Sequence, residues 1–272
     1  MDFKFIDTHL HVGHEHTYMT YDTSVKALIA QMDRLGVECA LNLGTEGLRD
    51  EYAKGIAVQK QVFEESGGRI YPCYNYGPLH PDAAIEEIRK NDPNPIFKGI
   101  KILPVGCAVD ADDDRYEAAW KLARELKLPI IGHSWAISSY HPSQQSAFAG
   151  KYERFVSAYP DVTFVFAHSG GRWGGLQAAA RIGRIYKNTY FDIAGDIWGM
   201  DVLEYLVDNV SADHVLFASD YSMIEQRPMI GVVLGSSLSA SDKRKILRRM
   251  HWGCFSRNEH KGVKDEYIGR TD

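Results

Sequence analysis

The chain alternates eight short apolar segments with longer amphipathic ones, and this alternation constrains its fold more than any other feature of the sequence. The apolar segments are apolar throughout and do not alternate with polar residues, which predicts parallel strands buried on both faces. They cover residues 3–9, 38–43, 70–76, 97–103, 129–133, 163–168, 189–193 and 214–219. Helix-forming segments cover residues 24–35, 50–65, 81–90, 113–126, 144–159, 175–186, 200–209 and 241–250.

Eight strands that alternate with helices predict an α/β protein, a single (β/α)8 TIM barrel that covers residues 1–272 as one domain. That length is ordinary for one barrel, and no linker rich in Pro, Gly or Ser divides the chain. An open, doubly wound sheet is the competing architecture. Against it, the first strand and turn read THLHVG, which is not the G-x-G-x-x-G loop that binds dinucleotide phosphates.

The composition narrows the class of protein and of partner. Hydrophobic residues make up 44%, charged residues 25%, and the formal net charge is -5, a balance that predicts a globular protein and gives no support to nucleic-acid binding. No apolar stretch approaches the ~20 residues that cross a bilayer, and no signal-peptide pattern precedes the first strand. The cysteines lack C-x-x-C spacing. We therefore expect a cytoplasmic protein with no membrane partner.

Four of the predicted strands end in residues that can bind a metal ion. The first ends with His9 and His11, which are two positions apart and so point to the same side of a strand. The fifth ends at His133, the sixth at His168 and the eighth at Asp220. These side chains should meet, because the carboxyl ends of barrel strands converge around one mouth. Imidazoles with a carboxylate suit divalent metals such as Zn²⁺, and zinc is the ion that we expect.

The segments around these residues resemble the amidohydrolase superfamily, and specifically its amidohydrolase-2-type branch. That branch includes aminocarboxymuconate-semialdehyde decarboxylase, related aromatic-acid decarboxylases and several lactone hydrolases. The resemblance covers residues 5–221 and rests on the segments IDTHLH, FKGIKILP, IIGHSW, FVFAHSGG, TYFDIAG and LFASDYS. It implies that His9, His11, His133 and Asp220 hold one divalent metal ion, and that His168 is a catalytic histidine facing the substrate. The eighth-strand segment departs mildly, since it reads ASDYS where the family often has GSDYP.

A hydrolase of a lactone, ester or amide bond is the function that we expect from these residues. A bound divalent metal lowers the pKa of its water toward ~7, and Asp220 takes the proton of that water and passes it to the leaving group. His168 hydrogen-bonds the substrate carbonyl oxygen as negative charge develops there. The alternative is non-oxidative decarboxylation of an aromatic or muconate-type acid at the same site. A barrel that binds a ligand without turnover is disfavoured, because both Asp220 and His168 are present.

Two cationic residues are candidates for binding a carboxylate of a small-molecule substrate. Lys101 closes the fourth strand, and three interpretations of it are open: a substrate carboxylate partner, a structural ion pair, or a carboxylated lysine that bridges two metal ions. We expect the first, and with it one metal ion rather than two. Arg172 follows the turn after the sixth strand, where its guanidinium can clamp a carboxylate with two hydrogen bonds. The substrate and the formation of homo-oligomers do not follow from the sequence.

Other polar and aromatic residues are candidates for supporting this site. Asp7 lies two positions before His9 and shares its side of the strand, so it is a candidate to support that ligand or to join a buried strand network. Tryptophans follow the fifth, sixth and seventh strands, where they can wall a pocket for an apolar or planar substrate. They are Trp135, Trp173 and Trp198.

Overall fold

The computed structural model of the chain describes residues 4–12, 22–195 and 199–248, and within them parallel strands alternate with helices. The described strands are β1 (Phe5–Leu10), β2 (Val37–Asn42), β3 (Ile70–Pro72), β4 (Tyr74–Tyr76), β5 (Ile100–Ile102), β6 (Ile130–His133), β7 (Phe164–Ala167), β8 (Thr189–Asp192) and β9 (Val215–Leu216). Segments β3 and β4 are one predicted strand interrupted at Cys73, whose N–H donates to Asn42 O (3.0 Å). The strands therefore occupy eight positions, which confirms the predicted (β/α)8 barrel.

The barrel wall consists of two sheets of parallel strands. Strands β1, β2 and β3 form one sheet, and β4 to β9 form the other, each strand paired with its neighbours in chain order. The regular ladders stop between β9 and β1, where individual backbone hydrogen bonds join the two pieces. Thr8 N donates to Phe217 O (3.0 Å), and Asp220 N donates to His9 O (2.9 Å). These bonds hold the ends of the first and eighth barrel strands, and thus His9 and Asp220, beside each other.

The described helices are α1 (Val25–Leu35), α2 (Tyr52–Glu65), α3 (Pro81–Asn91), α4 (Pro104–Cys107), α5 (Glu117–Leu126), α6 (Glu153–Ala158), α7 (Trp173–Ile185), α8 (Val202–Val210), α9 (Gln226–Gly235) and α10 (Ala240–Arg248). Helix α9 was not predicted, because Pro228 and Gly231 resemble helix breakers; Pro228 lies in the first turn, where a missing N–H costs no hydrogen bond. None of the described helices is both long and apolar enough to span a membrane.

Local signals in the sequence set the ends of helix α1. The Ser24 side chain accepts a hydrogen bond from Ala27 N (3.2 Å), which satisfies one of the free N–H groups at the helix start. Gly36 ends the helix in the left-handed conformation, with φ 81°, and its N–H donates to Met32 O. Leu28 and Met32, four residues apart, are both buried and attach the helix to the barrel.

The strand side chains alternate between an outer layer beneath the helices and an inner layer inside the barrel. On β6, Ile130 belongs to the large outer cluster and Ile131 to a separate inner one. The inner cluster comprises Leu41, Leu43, Cys73, Ile131, Val165, Ala167 and Leu216. His133 follows Ile131 by two positions, so it shares the inward direction. Lys101 also points inward, because its neighbours Ile100 and Ile102 both belong to the outer cluster.

Candidate metal centre and active site

The structure brings together five of the residues that the sequence analysis selected. His9 Nε2 lies 3.2 Å from His11 Nε2. Asp220 Oδ1 lies 3.4 Å from His9 Nε2 and 3.5 Å from His11 Nε2. His168 Nε2 lies 3.1 Å from His133 Nδ1, and ligand atoms of His9, His168 and Asp220 lie within 4.8 Å of one another. These nitrogen and oxygen atoms converge on one small volume at the mouth of the barrel.

Hydrogen bonds on the outer side of each ring fix where its proton sits. In three of the histidines, Nδ1 faces a carboxylate or carbonyl oxygen, which accepts hydrogen bonds and donates none. The pairs are His9 with Asp192 Oδ2 (2.8 Å), His11 with Gly44 O (3.0 Å) and His168 with Ala194 O (3.1 Å). Each Nδ1 therefore carries the proton, and each Nε2 presents a bare lone pair to the centre.

His133 completes the set with its ring reversed. Its Nε2 lies 2.9 Å from Gln144 Oε1, so Nε2 carries the proton and the Nδ1 lone pair faces His168. The nitrogen lone pairs of these histidines thus face one another with no proton between them. A cation placed between the nitrogens would stabilise this arrangement. Two nitrogens bound at ~2.0–2.1 Å to one tetrahedral zinc ion lie about 3.3–3.4 Å apart. The separations of 3.1 to 3.5 Å observed here are close to that value. The donor set therefore fits a divalent metal ion.

The electrostatics keep the rings of His9, His133 and His168 neutral. Burial lowers the pKa of His133 to about 3, and the nearby Lys101 ammonium adds to this effect. Burial also lowers the pKa values of His9 and His168 well below the usual value. Burial raises the pKa of Asp192, while His168 and Lys101 oppose that change. Neutral imidazoles at pH 7 have free lone pairs, so metal binding there needs no proton to be displaced from them.

Asp192 is a site residue that the sequence analysis missed. It ends β8, and its Oδ1 accepts hydrogen bonds from the backbone N–H groups of His168 (2.7 Å) and Ala194 (3.1 Å). Its Oδ2 accepts the Nδ1 proton of His9. One fully buried carboxylate thus orients two members of the donor set. The signal was available in the sequence, because Asp192 lies near the carboxyl end of the seventh predicted strand and Asp220 directly follows the eighth.

Asp7 supports the backbone of the site. Its carboxylate accepts hydrogen bonds from the N–H groups of His9 (3.3 Å) and Ser219 (3.0 Å), from the Ser219 hydroxyl (2.6 Å) and from the Gln226 amide (2.8 Å). Burial raises the pKa of Asp7 to about 6, and these hydrogen bonds oppose that change. Asp7 therefore belongs to a buried network that joins the first and eighth barrel strands.

The backbone is strained where the site residues lie. His168 (φ 60°), Ser169 (φ 48°) and Asp220 (φ 62°) adopt positive φ values that non-glycine residues rarely take. Such conformations cost of order 1–3 kcal/mol each, and they cluster at active sites because the surrounding structure holds them there. Here the strained residues lie where the chain turns out of the barrel. Their conformations keep the side chains of His168 and Asp220 directed at the centre.

A cavity of about 620 Å³ opens above the donor set. His11, His133, His168 and Asp220 line it, with Lys101 among them. That volume is within the ordinary range for small-molecule sites, roughly 300–1,000 Å³.

Apolar and aromatic side chains form part of the cavity wall, including Tyr76, Leu103 and Trp135. The Trp135 ring is stacked parallel to His133, with 6.2 Å between centroids and 6° between planes, as expected for a wall residue. Trp173 instead is 52% exposed, packs against Tyr205 and is absent from the cavity lining. Trp198 lies outside the described residues. The structure thus places one of the three predicted tryptophans at the cavity.

Lys101 is the buried cation of the cavity. The residue is 1% exposed, and among the described residues its Nζ has no hydrogen-bond partner. Burial lowers the Lys101 pKa to about 8, although the carboxylates of Asp192 and Asp220 oppose the shift. An ammonium in such a place is costly unless a ligand supplies the missing anion.

Arg172 does not reach this cavity. The chain leaves β7 through Gly170 (φ 85°) and Gly171 (φ 70°), and Arg172 then becomes the N-cap of helix α7. Its side chain is exposed and is absent from the cavity lining. The arginine that does line the mouth is Arg49, in the 3-10 turn Glu46–Arg49 after β2. Nothing in the sequence analysis had selected Arg49.

Comparison with known proteins agrees with the fold. The chain belongs to the amidohydrolase family, whose model, described as "Amidohydrolase", matches residues 6–249. It is therefore an enzyme of the amidohydrolase superfamily. No curated protein matches the chain.

Solved structures with the same fold include two decarboxylases and a hydratase. A 5-carboxyvanillate decarboxylase from Novosphingobium aromaticivorans, complexed with manganese and 4-hydroxy-3-methoxy-5-nitrobenzoic acid, is 13% identical with a TM-score of 0.72, covering 93% of this chain and 96% of its own. A dihydroxybenzoic acid decarboxylase from Polaromonas with bound manganese is 14% identical with a TM-score of 0.70, covering 90% and 95%. The 4-oxalomesaconate hydratase of Rhodopseudomonas palustris is 16% identical with a TM-score of 0.65, covering 89% and 93%.

Proposed function

We propose that this protein is a metal-dependent, non-oxidative decarboxylase of a planar aromatic or unsaturated carboxylic acid. The observation that carries the proposal is a convergent set of imidazole and carboxylate donors at the base of a partly aromatic cavity that also holds a buried ammonium, that of Lys101. The similar structures named as decarboxylases support this reaction over the hydrolysis that the sequence led us to expect.

His9, His11, His133 and Asp220 would hold one divalent metal ion, with His168 adjacent to them. Imidazole and carboxylate ligands suit both Zn²⁺ and Mn²⁺, and the two similar decarboxylases contain manganese. When bound, the ion supplies Lewis acidity, which polarises the substrate oxygens and stabilises developing negative charge. In this assignment Lys101 remains an unmodified ammonium.

Lys101 would bind the substrate through an anionic oxygen. Lys101 lines the cavity, and its Nζ has no hydrogen-bond partner among the described residues. A carboxylate or phenolate there gains a charge-assisted hydrogen bond and removes the penalty of an unpaired buried charge. Tyr76, Leu103 and Trp135 would pack against the faces of a planar ring. The cavity therefore favours a flat substrate with a negative end at its base.

Asp220 would supply the proton that the reaction requires. Decarboxylation breaks the bond between the carboxyl carbon and the adjacent carbon, carbon dioxide leaves, and the electron pair stays on that adjacent carbon. A proton must then reach the same carbon. Asp220 lines the cavity, and as a carboxyl group it can take a proton from a substrate hydroxyl and pass it on. His168 would donate no proton from Nε2, since its proton is on Nδ1.

Hydrolysis of a lactone, ester or amide remains the second candidate, because the family model carries that description. The same residues would act, with Asp220 accepting a proton from water.

A product assay in D₂O separates the two reactions. Manganese-loaded or zinc-loaded protein is incubated with hydroxybenzoic acids and, separately, with lactones, esters and amides. Decarboxylation should release carbon dioxide and place deuterium on the carbon that lost the carboxyl group. Cleavage of a lactone, ester or amide with no carbon dioxide release from any acid would overturn the proposal. The protein with Asp220→Asn, loaded with the same metal, is the matched control for background reactions.

A further inference from the structure

The outer hydrogen bond of His133 differs from those of the other three histidines. His11 and His168 donate to backbone carbonyls, and His9 donates to the fully buried Asp192 carboxylate. All three acceptors are held in place and can only accept hydrogen bonds. His133 instead donates to the side-chain amide of Gln144, at 2.9 Å, and that amide also carries N–H donors.

The backbone holds Gln144 firmly even though it lies on a loop. It belongs to the 3-10 segment Pro142–Ala147. The segment is fixed from behind, because Trp135 N donates to Ala147 O (2.9 Å) and Ala111 N donates to Ser146 O (2.8 Å). Gln144 itself is only half-buried and lines the cavity. Gln144 therefore contacts the donor set through its amide oxygen and also borders the substrate space.

The two ends of this amide do different things. Oε1 is occupied by the His133 proton, which leaves His133 Nδ1 free toward the centre. Among the residues that the structure describes, Gln144 Nε2 has no hydrogen-bond partner. Its N–H groups are thus available to an acceptor oxygen in the cavity.

We propose that Gln144 is both a positioning residue for His133 and a specificity-determining donor to an acceptor oxygen of the substrate. Its carbonyl fixes the tautomer with which His133 faces the metal site, and its N–H groups select substrates that carry a carboxylate, carbonyl or nitro oxygen at that side of the ring. The second role rests on the proposed function, whereas the first depends only on metal binding.

Two substitutions of Gln144 and one of its neighbour separate these roles. Gln144→Leu removes both the acceptor and the donors. Gln144→Glu keeps an acceptor for His133 but loses the donors. Gln145→Leu is the matched control, because Gln145 is exposed and absent from the cavity lining. Metal affinity is measured by competition with a chelator, and binding of 4-hydroxy-3-methoxy-5-nitrobenzoic acid by calorimetry on metal-loaded protein.

We expect Gln144→Leu to bind the metal about 10–100-fold more weakly, and Gln144→Glu to restore metal affinity. We expect Gln144→Glu to bind the nitrobenzoic acid at least about tenfold more weakly, because a donor to a charged or polar oxygen is lost. Gln145→Leu should match the wild type in both measurements.

Wild-type metal affinity in Gln144→Leu would overturn the positioning role. Wild-type affinity of Gln144→Glu for the nitrobenzoic acid would overturn the donor role. Failure of the proposed function is distinguishable from both results. Wild-type protein that binds the metal but not the nitrobenzoic acid would contradict the aromatic-acid proposal, and the donor role with it, while the chelator competition still decides the positioning role.

Discussion

Asp192→Asn should weaken metal binding, because it should move the His9 proton to Nε2, the nitrogen that faces the metal centre. The two oxygens of Asp192 have different partners: Oδ1 accepts from the backbone N–H groups of His168 and Ala194, and Oδ2 accepts from His9 Nδ1. Asparagine offers one oxygen and one amide group in their place. Backbone N–H groups cannot reverse their polarity, so the oxygen must stay with them and the amide must face His9.

His9 can meet that amide only by changing tautomer. Its Nδ1 must become the acceptor, which moves the ring proton to Nε2, the atom that lies 3.2 Å from His11 Nε2. A protonated Nε2 cannot ligate a metal ion. Loss of such an outer partner typically costs 10–100-fold in metal affinity, or about 1.4–2.7 kcal/mol.

Chelator competition on folded protein measures this effect. Asp208→Asn, the same substitution at an exposed position of helix α8, is the control. Circular dichroism establishes that both variants are folded. Wild-type metal affinity in folded Asp192→Asn would refute the reasoning about the tautomer of His9.

Three further predictions concern the centre and the cavity. Lys101→Met should stabilise the metal-free protein at pH 7 by on the order of 3 kcal/mol, and it should weaken binding of acidic ligands. Because burial lowers the Lys101 pKa from 10.5 to about 8, the unfolded chain binds more protons in that window. Wild-type stability should therefore rise from pH 8 to 10.5, and melting curves of Lys101→Met should lack that rise. Asp220→Asn should keep substantial metal but lose ~10²–10⁴-fold in kcat, and near-normal turnover would remove its proton-transfer role. His11→Ala should lose both metal and activity, and elemental analysis that finds full metal content would contradict its role as a ligand.

The strand ends were predictable because they follow a geometric rule. His9, His11, His133 and Asp220 each lie at the carboxyl end of an apolar run, and such ends converge in a barrel whatever the intervening sequence. The structure brings these side chains together, as the rule predicts. The same rule covers Asp192. It does not reveal, however, that the Asp220 carboxylate faces the metal centre whereas the Asp192 carboxylate hydrogen-bonds the outer side of His9.

Loop residues were not predictable, because contacts distant in sequence set their conformations. Residues 144–159 have a helical pattern, yet the part around Gln144 forms 3-10 turns whose backbone is hydrogen-bonded to Ala111 and Trp135. Arg172 follows two glycines with positive φ, and these turn its side chain to the surface. Composition and spacing do not show in which direction such a turn sends the next side chain. The sequence therefore could not show that Arg49, rather than Arg172, lines the cavity.

Metal stoichiometry tests the central claim most directly. Metal-free protein is dialysed to equilibrium against MnCl₂ and, separately, ZnCl₂, and bound ions are counted by elemental analysis. Four imidazole lone pairs and one carboxylate that converge without a proton between them predict one tightly bound divalent ion per chain. Substoichiometric binding of both metals by folded protein would contradict the metal centre, and two ions per chain would contradict the mononuclear assignment and the unmodified Lys101.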